Sequence, residues 1–364
     1  MSHRENSIAA LNLLIAACDA AVSAIDAADG NLDDDLKDLD QTSLNVIHKD
    51  FLALLSLLYA STTKIALCLK PSSPTYSASI TPLKDQTTHV GNLSQNVRLV
   101  RKEHGLTLLN EFKSVAKTVI NPLKQLAQVF LDHANGEKVN DDAYLSKTGE
   151  VHHAIDKARS SPGGLSSSNH IAVKKAWGLH QGSLIDAMDE LKELSESEGS
   201  PGSTDDIDDG WDELGIDAPS KMSAEELGRL KKVEPIIKLS TLLHKYVAKR
   251  LLSAPYDSLP IQTHLNPLLD SLAKDSALFA AAVDDLASTV YAPQDTEEMS
   301  LQLRNFTDFI ETLSSRITSI LSLPSVGELL KGSGKEASAQ KWFDTCFDQL
   351  NKSIKELSDV LPDP

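Results

Sequence analysis

Histidine, cysteine and carboxylate side chains are where a 364-residue chain with 11 His, 3 Cys and 52 Asp or Glu could bind metal or move protons. The one adjacent histidine pair, His152 and His153, projects to different sides of a helix, and HExxH does not occur, so packing or surface roles are expected rather than zinc ligation. Gly332-Ser333-Gly334-Lys335 resembles a phosphate loop only in composition: the GxxxxGK[ST] spacing fails and no strand precedes it. No GxSxG elbow occurs. The acidic runs Asp33 to Asp35 and Asp205 to Asp209 lack the alternating oxygen ligands and closing Glu of a calcium loop. Catalytic residues, metal ligands and cofactors are therefore not expected, and neither is an enzyme.

What remains is a set of spaced apolar residues in an acidic setting. Between Ser195 and Ser220 the chain has nine acidic residues, no Lys or Arg, four Gly and two Pro. Such a composition buries too little apolar surface to offset its ordering entropy, which predicts a mobile connector. Within it Ile207, Trp211 and Leu214 fall at i, i+4 and i+7, one face of a helical turn, with Asp212 and Glu213 beside them. These five residues are the candidate partner-binding site, docking either in a partner groove or on the chain's own helices.

The elements around this stretch read as helices throughout. Leu and Ala dominate, aromatic residues make up only 5%, and no strand pattern convinces. Apolar stripes of period 3.6 predict helices over Ser7 to Ala28, Ser43 to Leu69, Leu106 to His133, Asp141 to Arg159 and Asn169 to Leu194. Thr81-Pro82 reads as a capped start for a helix reaching Lys102, and Pro122 predicts a bend near Asn121. Past the connector, Ser223 and Glu226 form a capping box for a helix running through Pro235, with a kink there, to Leu252. Further helices follow over Thr263 to Tyr291, from Thr296 through Ile320, and over Ser338 to Val360.

The regular run Met299, Leu303, Phe306, Ile310, Leu313, Ile317 and Ile320 could be a zipper-like dimer face, but among so many similar stripes it reads as the inward seam of a bundle. The expected fold is all-α: antiparallel helical bundles of about ten helices, with residues 1–194 and 223–364 as two halves joined by an acidic linker over 195–222. Oligomeric state is left open.

Charge bounds the partner class. The net charge of −17 and pI near 5.0 disfavour direct binding to nucleic acid or to anionic lipid, and no helix carries the basic segment of a DNA-binding helix-loop-helix protein. No uncharged apolar run reaches the length of a membrane span, the best, from Phe51, meeting Lys64 too soon. Ile8 to Cys18 has the apolarity of a signal peptide, yet its helical pattern runs on to Ala28. Cys18, Cys68 and Cys346 lie far apart on apolar stripes, which suggests neither disulfides nor metal binding and fits a reducing compartment.

Several blocks carry a resemblance. VDDLASTVYAP (Val283 to Pro293), the segments His104 to Phe130 and Gly149 to Pro162, and WDELGIDAPSKMSAEELGRLKKVEPIIKLSTLLHK (Trp211 to Lys245) are similar to the cyclin-D-binding protein family, helix-loop-helix-like regulators that interact with cyclin D. The resemblance implies an all-helical, non-enzymatic protein of nucleus and cytoplasm. Its partners would be cyclin-type or helix-loop-helix proteins, and its role negative regulation of the cell cycle and of transcription. It assigns no binding residue. The alternative from another class is a cytoskeletal scaffold bundle of the vinculin or talin-rod type.

Overall fold

The computed structural model describes residues 2–32, 34–39, 42–137, 140, 142–198, 222–254, 256, 264–332 and 336–362. The described residues contain helices and no strand, as the periodicity requires. Contacts divide the chain into two compact units, Met1–Ala172 and Val173–Pro364.

The first unit is a ring of five helices: α1 (His3–Ala27), α2 (Leu44–Cys68), α3 (Tyr76–Arg98), α4 (Leu106–Asn135) and α5 (Ala143–Arg159). The neighbours around the ring are α1, α3, α2, α5 and α4, with α4 closing onto α1 and α3 also touching α4. α1 and α2, consecutive in sequence, are thus separated by α3. Cross-contacts give the directions. Lys117 meets Asp26 at 2.7 Å and Arg4 donates to Ala134 O at 2.7 Å, so α1 and α4 are antiparallel. Ser7 instead pairs with Ser79 near the starts of α1 and α3, and Ser94 Oγ donates to Ala21 O at 3.4 Å near their ends. These two helices run parallel. A closed ring with an odd number of helices cannot alternate direction all the way round, so one parallel pair is a geometric necessity within this antiparallel bundle.

Local signals moved some boundaries. α1 starts earlier than its apolar stripe because Ser2 and Glu5 form a reciprocal capping box. α3 begins at Tyr76, not at Thr81; Pro82 is buried inside it, where its missing N–H removes one helical bond while its ring packs in the core. α4 continues through Pro122 without interruption. Its first turn follows Gly105, which at φ 103° needs the freedom of glycine, and Asn169 lies where a Cβ would be.

The division of the chain falls inside α6 (Asn169–Gly178). The helix expected over Asn169 to Leu194 is two helices, broken at Gly178 to His180 before α7 (Gln181–Glu198). α7 packs on α8 and α9, so the contact boundary lies earlier than residue 194, where the composition changes. The second unit's ring runs α7, α9 (Asn266–Ser288), α10 (Thr296–Leu321), α12 (Glu336–Ser358) and α8 (Ala224–Tyr246), closing from α8 to α7, with α8 also touching α9. α8 runs through Pro235 and ends in a π-turn over Val247–Leu251. α10 starts at Thr296 as expected, and its N-cap is Asp295, whose carboxylate accepts from Glu297 and Glu298 N–H. A helix absent from the sequence reading, α11 (Pro324–Gly332), precedes α12.

This ring too has one parallel pair. Ser276 Oγ of α9 donates to Trp177 O at 2.8 Å, and further along in the same sense the Tyr291 hydroxyl lies near the Glu190 carboxylate. The α6–α7 segment and α9 therefore run side by side. Met299, Leu303, Phe306, Ile310, Leu313, Ile317 and Ile320 are all buried, the bundle-seam reading of that run.

By length and apolarity α1 and α2 would each suit a membrane span, which amends the expectation drawn from uninterrupted runs. Each packs one face in the ring, and α1 carries Asp19 and Asp26 in ion pairs with Lys124 and Lys117 of α4.

Candidate functional site

The five candidate residues, Ile207, Trp211, Asp212, Glu213 and Leu214, lie outside the described residues, as do both Asp33 and the run Asp205 to Asp209. The structure does describe where the acidic stretch re-enters the fold. Ser223 caps α8: its side chain accepts from Glu226 N–H at 3.2 Å, and Glu226 accepts in return from Ser223 N–H at 2.7 Å. The same carboxylate accepts from Gln294 N–H at 2.9 Å, in the turn between α9 and α10. Gln294 Nε2 donates back to Glu226 O at 3.1 Å, and Arg229 Nε donates to Gln294 Oε1 at 2.8 Å. Donation from Gln294 and Ser223 holds the Glu226 carboxyl below its ordinary range.

This clamp gives the Val283 to Pro293 block a physical role. Val283, Leu286 and Val290 are buried, ending α9 in the core, and the chain turns through a cis Ala292–Pro293 bond to place Gln294 against the start of α8. Tyr291 is half exposed, its hydroxyl pushed up to about 12 by burial and then by the Glu190 carboxylate near it. The downstream anchor of the acidic stretch is thus a fixed hydrogen-bonded corner.

Chemistry of other kinds finds little support. Among the described residues no group of three His, Cys, Asp or Glu side chains could hold a metal. Burial pushes the Cys18 thiol up to about 12 and the Cys346 thiol up to about 11, away from thiolate chemistry. His152 stacks on Tyr59 at 3.8 Å, with Nε2 3.2 Å from Thr63 Oγ1, so it packs α5 against α2 as expected of a structural histidine. His244 lies between the ring of Trp177, stacked at 4.7 Å, and Ser276 Oγ at 3.3 Å. Ser276 gives its proton to Trp177 O, so His244 Nε2 donates to the serine and the ring is neutral. Burial pushes its pKa down to about 4. His244, Trp177 and Phe279 are all buried, and the cluster is read as core.

Surface clefts offer two docking shapes. One, about 340 Å³, lies between α2 and α3 under the 3₁₀ turn Asp34–Leu39, and is lined by Leu36, Leu39, Leu54, Leu57 and Leu99 with Asn96 at its base. The other, about 440 Å³, follows the antiparallel α10 and α12 from Ser300 beside Pro362 to Glu311 near Asn351. Both are open grooves suited to side chains of a protein partner rather than to an enclosed small molecule.

Two family models match the chain: the N-terminal domain described as Grap2 and cyclin-D-interacting over residues 50–197, and its C-terminal counterpart over residues 207–315. Among curated proteins none matches the chain. The C-terminal match starts at Ile207, so all five candidate residues fall inside it, whereas residues 198–206 fall between the two matches.

Proposed function

The chain belongs to the Grap2 and cyclin-D-interacting family, and from that premise we propose that it is a non-enzymatic helical regulator that works through protein contacts in cytoplasm and nucleus. Its partners are D-type cyclins or helix-loop-helix proteins, and holding them restrains cell-cycle progression and transcription. The observation that carries this reading is the family match itself, which spans most of both helical units and takes in the second half of the acidic stretch.

Within that reading Ile207, Trp211 and Leu214 supply the apolar contact and Asp212 and Glu213 the charge, an arrangement that fits an apolar groove with a basic rim. The test is a pull-down of D-type cyclins and helix-loop-helix proteins with the full chain and with its Trp211→Ala variant, alongside actin co-sedimentation. Capture of a cyclin or helix-loop-helix protein by the wild type, weakened at least about tenfold in the variant, is expected for a buried tryptophan anchor. Co-sedimentation with actin in the absence of either capture would replace this function with a scaffold role.

A further inference from the structure

One face of α8 stands against the charge of the whole molecule. Lys231, Lys238, Leu242, Lys245 and Lys249 are spaced 7, 4, 3 and 4 residues apart, which aligns them on one side of a helix, and all five are exposed. Glu234 lies between Lys231 and Lys238 at the start of the stripe, but from Pro235 to Ala254 the chain has no acidic residue, in a protein of net charge −17. None of these four lysines makes an ion pair with a described residue. The stripe covers about 27 Å at 1.5 Å per residue, the length of five helical turns.

Two further features make this more than a solvated face. Leu242, at its middle, is 38% exposed with lysines on either side along the helix. At its end the π-turn carries Lys249 and Arg250 over the ring of Tyr246, at 5.9 and 5.2 Å, and that ring stacks on Trp342 of α12 at 4.1 Å. The lane therefore combines unneutralised positive charge, a central apolar contact and a cationic aromatic terminus. α7, packed beside α8, exposes Asp186, Asp189 and Glu193.

We infer that this face of α8 is a docking lane for an acidic amphipathic helix of a partner protein, with carboxylates at heptad spacing over the lysines and an apolar residue on Leu242. Charge complementarity selects an acidic ligand, and helical periodicity selects its form. A polyanion such as nucleic acid or anionic lipid would use the lysines but gain little from Leu242, and the rest of the surface would repel it. The lane differs from the acidic stretch in sequence position and in charge, so its test is distinct from that of the cyclin reading.

The experiment titrates the full chain with a labelled helical peptide that bears Glu at two positions of each heptad around one central Leu. Binding is expected to weaken at least about tenfold in Lys238→Glu/Lys245→Glu and severalfold in Leu242→Asp, as loss of an interface centre requires. Lys84→Glu, an exposed charge reversal on α3, is expected to change nothing. Circular dichroism of each variant at matched temperature separates lost binding from lost fold. Equal weakening by Lys84→Glu would overturn the lane as a site. Tighter binding of single-stranded DNA or phosphatidylserine vesicles through the same lysines, indifferent to Leu242→Asp, would overturn the helix as occupant. Peptide binding that emerges only when residues 199–221 are deleted would overturn the partner in favour of the chain's own acidic segment.

Discussion

The two rings solve one geometric problem with two connectivities. Each has five helices, and each must therefore contain a parallel pair; in each, that pair joins the first ring helix to the third, α1 with α3 and α7 with α9. Beyond that seam the orders diverge. The second and fourth helices exchange places: α2 follows α3 in the first ring, whereas α10 follows α9 in the second. The helix touched across the middle changes with it, α4 in the first unit and α8 in the second. Serines hold both parallel seams, Ser79 and Ser94 in one and Ser276 in the other, because a small hydroxyl lets helices approach closely while satisfying itself on a facing oxygen. What differs is the filling. The first core turns on paired phenylalanines, Phe51 and Phe112 at 4.9 Å, and the second on Trp177, His244 and Phe279.

If the cores are separate, emptying one should spare the other. Phe112→Ala and Trp177→Ala each remove a fully buried aromatic side chain, at an expected cost of about 3–5 kcal/mol. Hydrogen exchange is the measurement: Phe112→Ala is expected to lower protection in α1 to α5 only, and Trp177→Ala in α7 to α10 and α12 only. Loss of protection in all helices from either change would show one cooperative core, and the division at residue 172 would lose its meaning.

Acid should separate the units by mechanism. His244 falls from 6.5 to about 4 in the folded chain because burial opposes its charge, so the unfolded chain takes up the proton first as pH drops. Stability is therefore complete above 6.5, declines towards 4 and levels below it, a loss on the order of 3 kcal/mol. His104 is also pushed down to about 4, by burial first and the Arg101 charge second, and it accepts from Arg101 N–H at 3.1 Å. The first unit thus carries acid-sensitive histidines at His104 and, lowered by burial, His152, and the second carries His244. His244→Phe, which preserves a ring against Trp177, is expected to flatten the pH dependence of exchange in α8 and α9 and to leave that of α4 intact; an unchanged slope in α8 would place the proton elsewhere.

The seams give a smaller effect. Ser79→Val and Ser276→Val replace the hydroxyl with a methyl and add a second one, which strands a partner and crowds a close approach, each costing about 1–3 kcal/mol in its own unit. A larger loss at Ser276 than at Ser79 is expected because Ser276 bonds both Trp177 and His244, whereas Ser79 is also satisfied by Tyr76 O on its own helix at 2.9 Å. Denaturant midpoints of the two variants decide this.

These differences mark what the amino-acid sequence can carry. Period 3.6 reveals which face of a helix is buried, as the complete burial of the Met299 to Ile320 run illustrates, and the Ser223–Glu226 box was legible because its partners sit three residues apart. Neighbour order is not local. Nothing in α1 or α3 announces that they lie parallel, and Ser7 and Ser79 look like surface residues until the other is known. The break at Gly178 was hidden by a stripe that continues in register from Trp177 to Leu184 and Leu191 on both sides of the turn. The basic lane on α8 was visible in principle, since its lysines keep helical spacing; the overall charge of −17 drew attention instead to the acidic stretch.

The smallest effect tests the junction between the units from one side only. Asn169 is the first residue of α6, yet its side-chain Oδ1 accepts from Leu108 N–H at 3.0 Å in the first turn of α4. Gly105, the N-cap of α4, has no side chain to do this, and its φ of 103° together with Asn169 in the place of a Cβ excludes a larger residue. The cap is thus borrowed from far along the chain. Asn169→Ala leaves a buried N–H unpaired and is expected to cost about 1–2 kcal/mol. Asn169→Asp keeps the acceptor and is expected to recover most of it. The loss should appear as faster exchange at Leu108 and Leu109 while α8 and α9 stay unchanged. An equal loss in α8 would mean that α6 transmits strain along its own axis into the second unit, and the contrast between the two rings would then describe their wiring but not their stability.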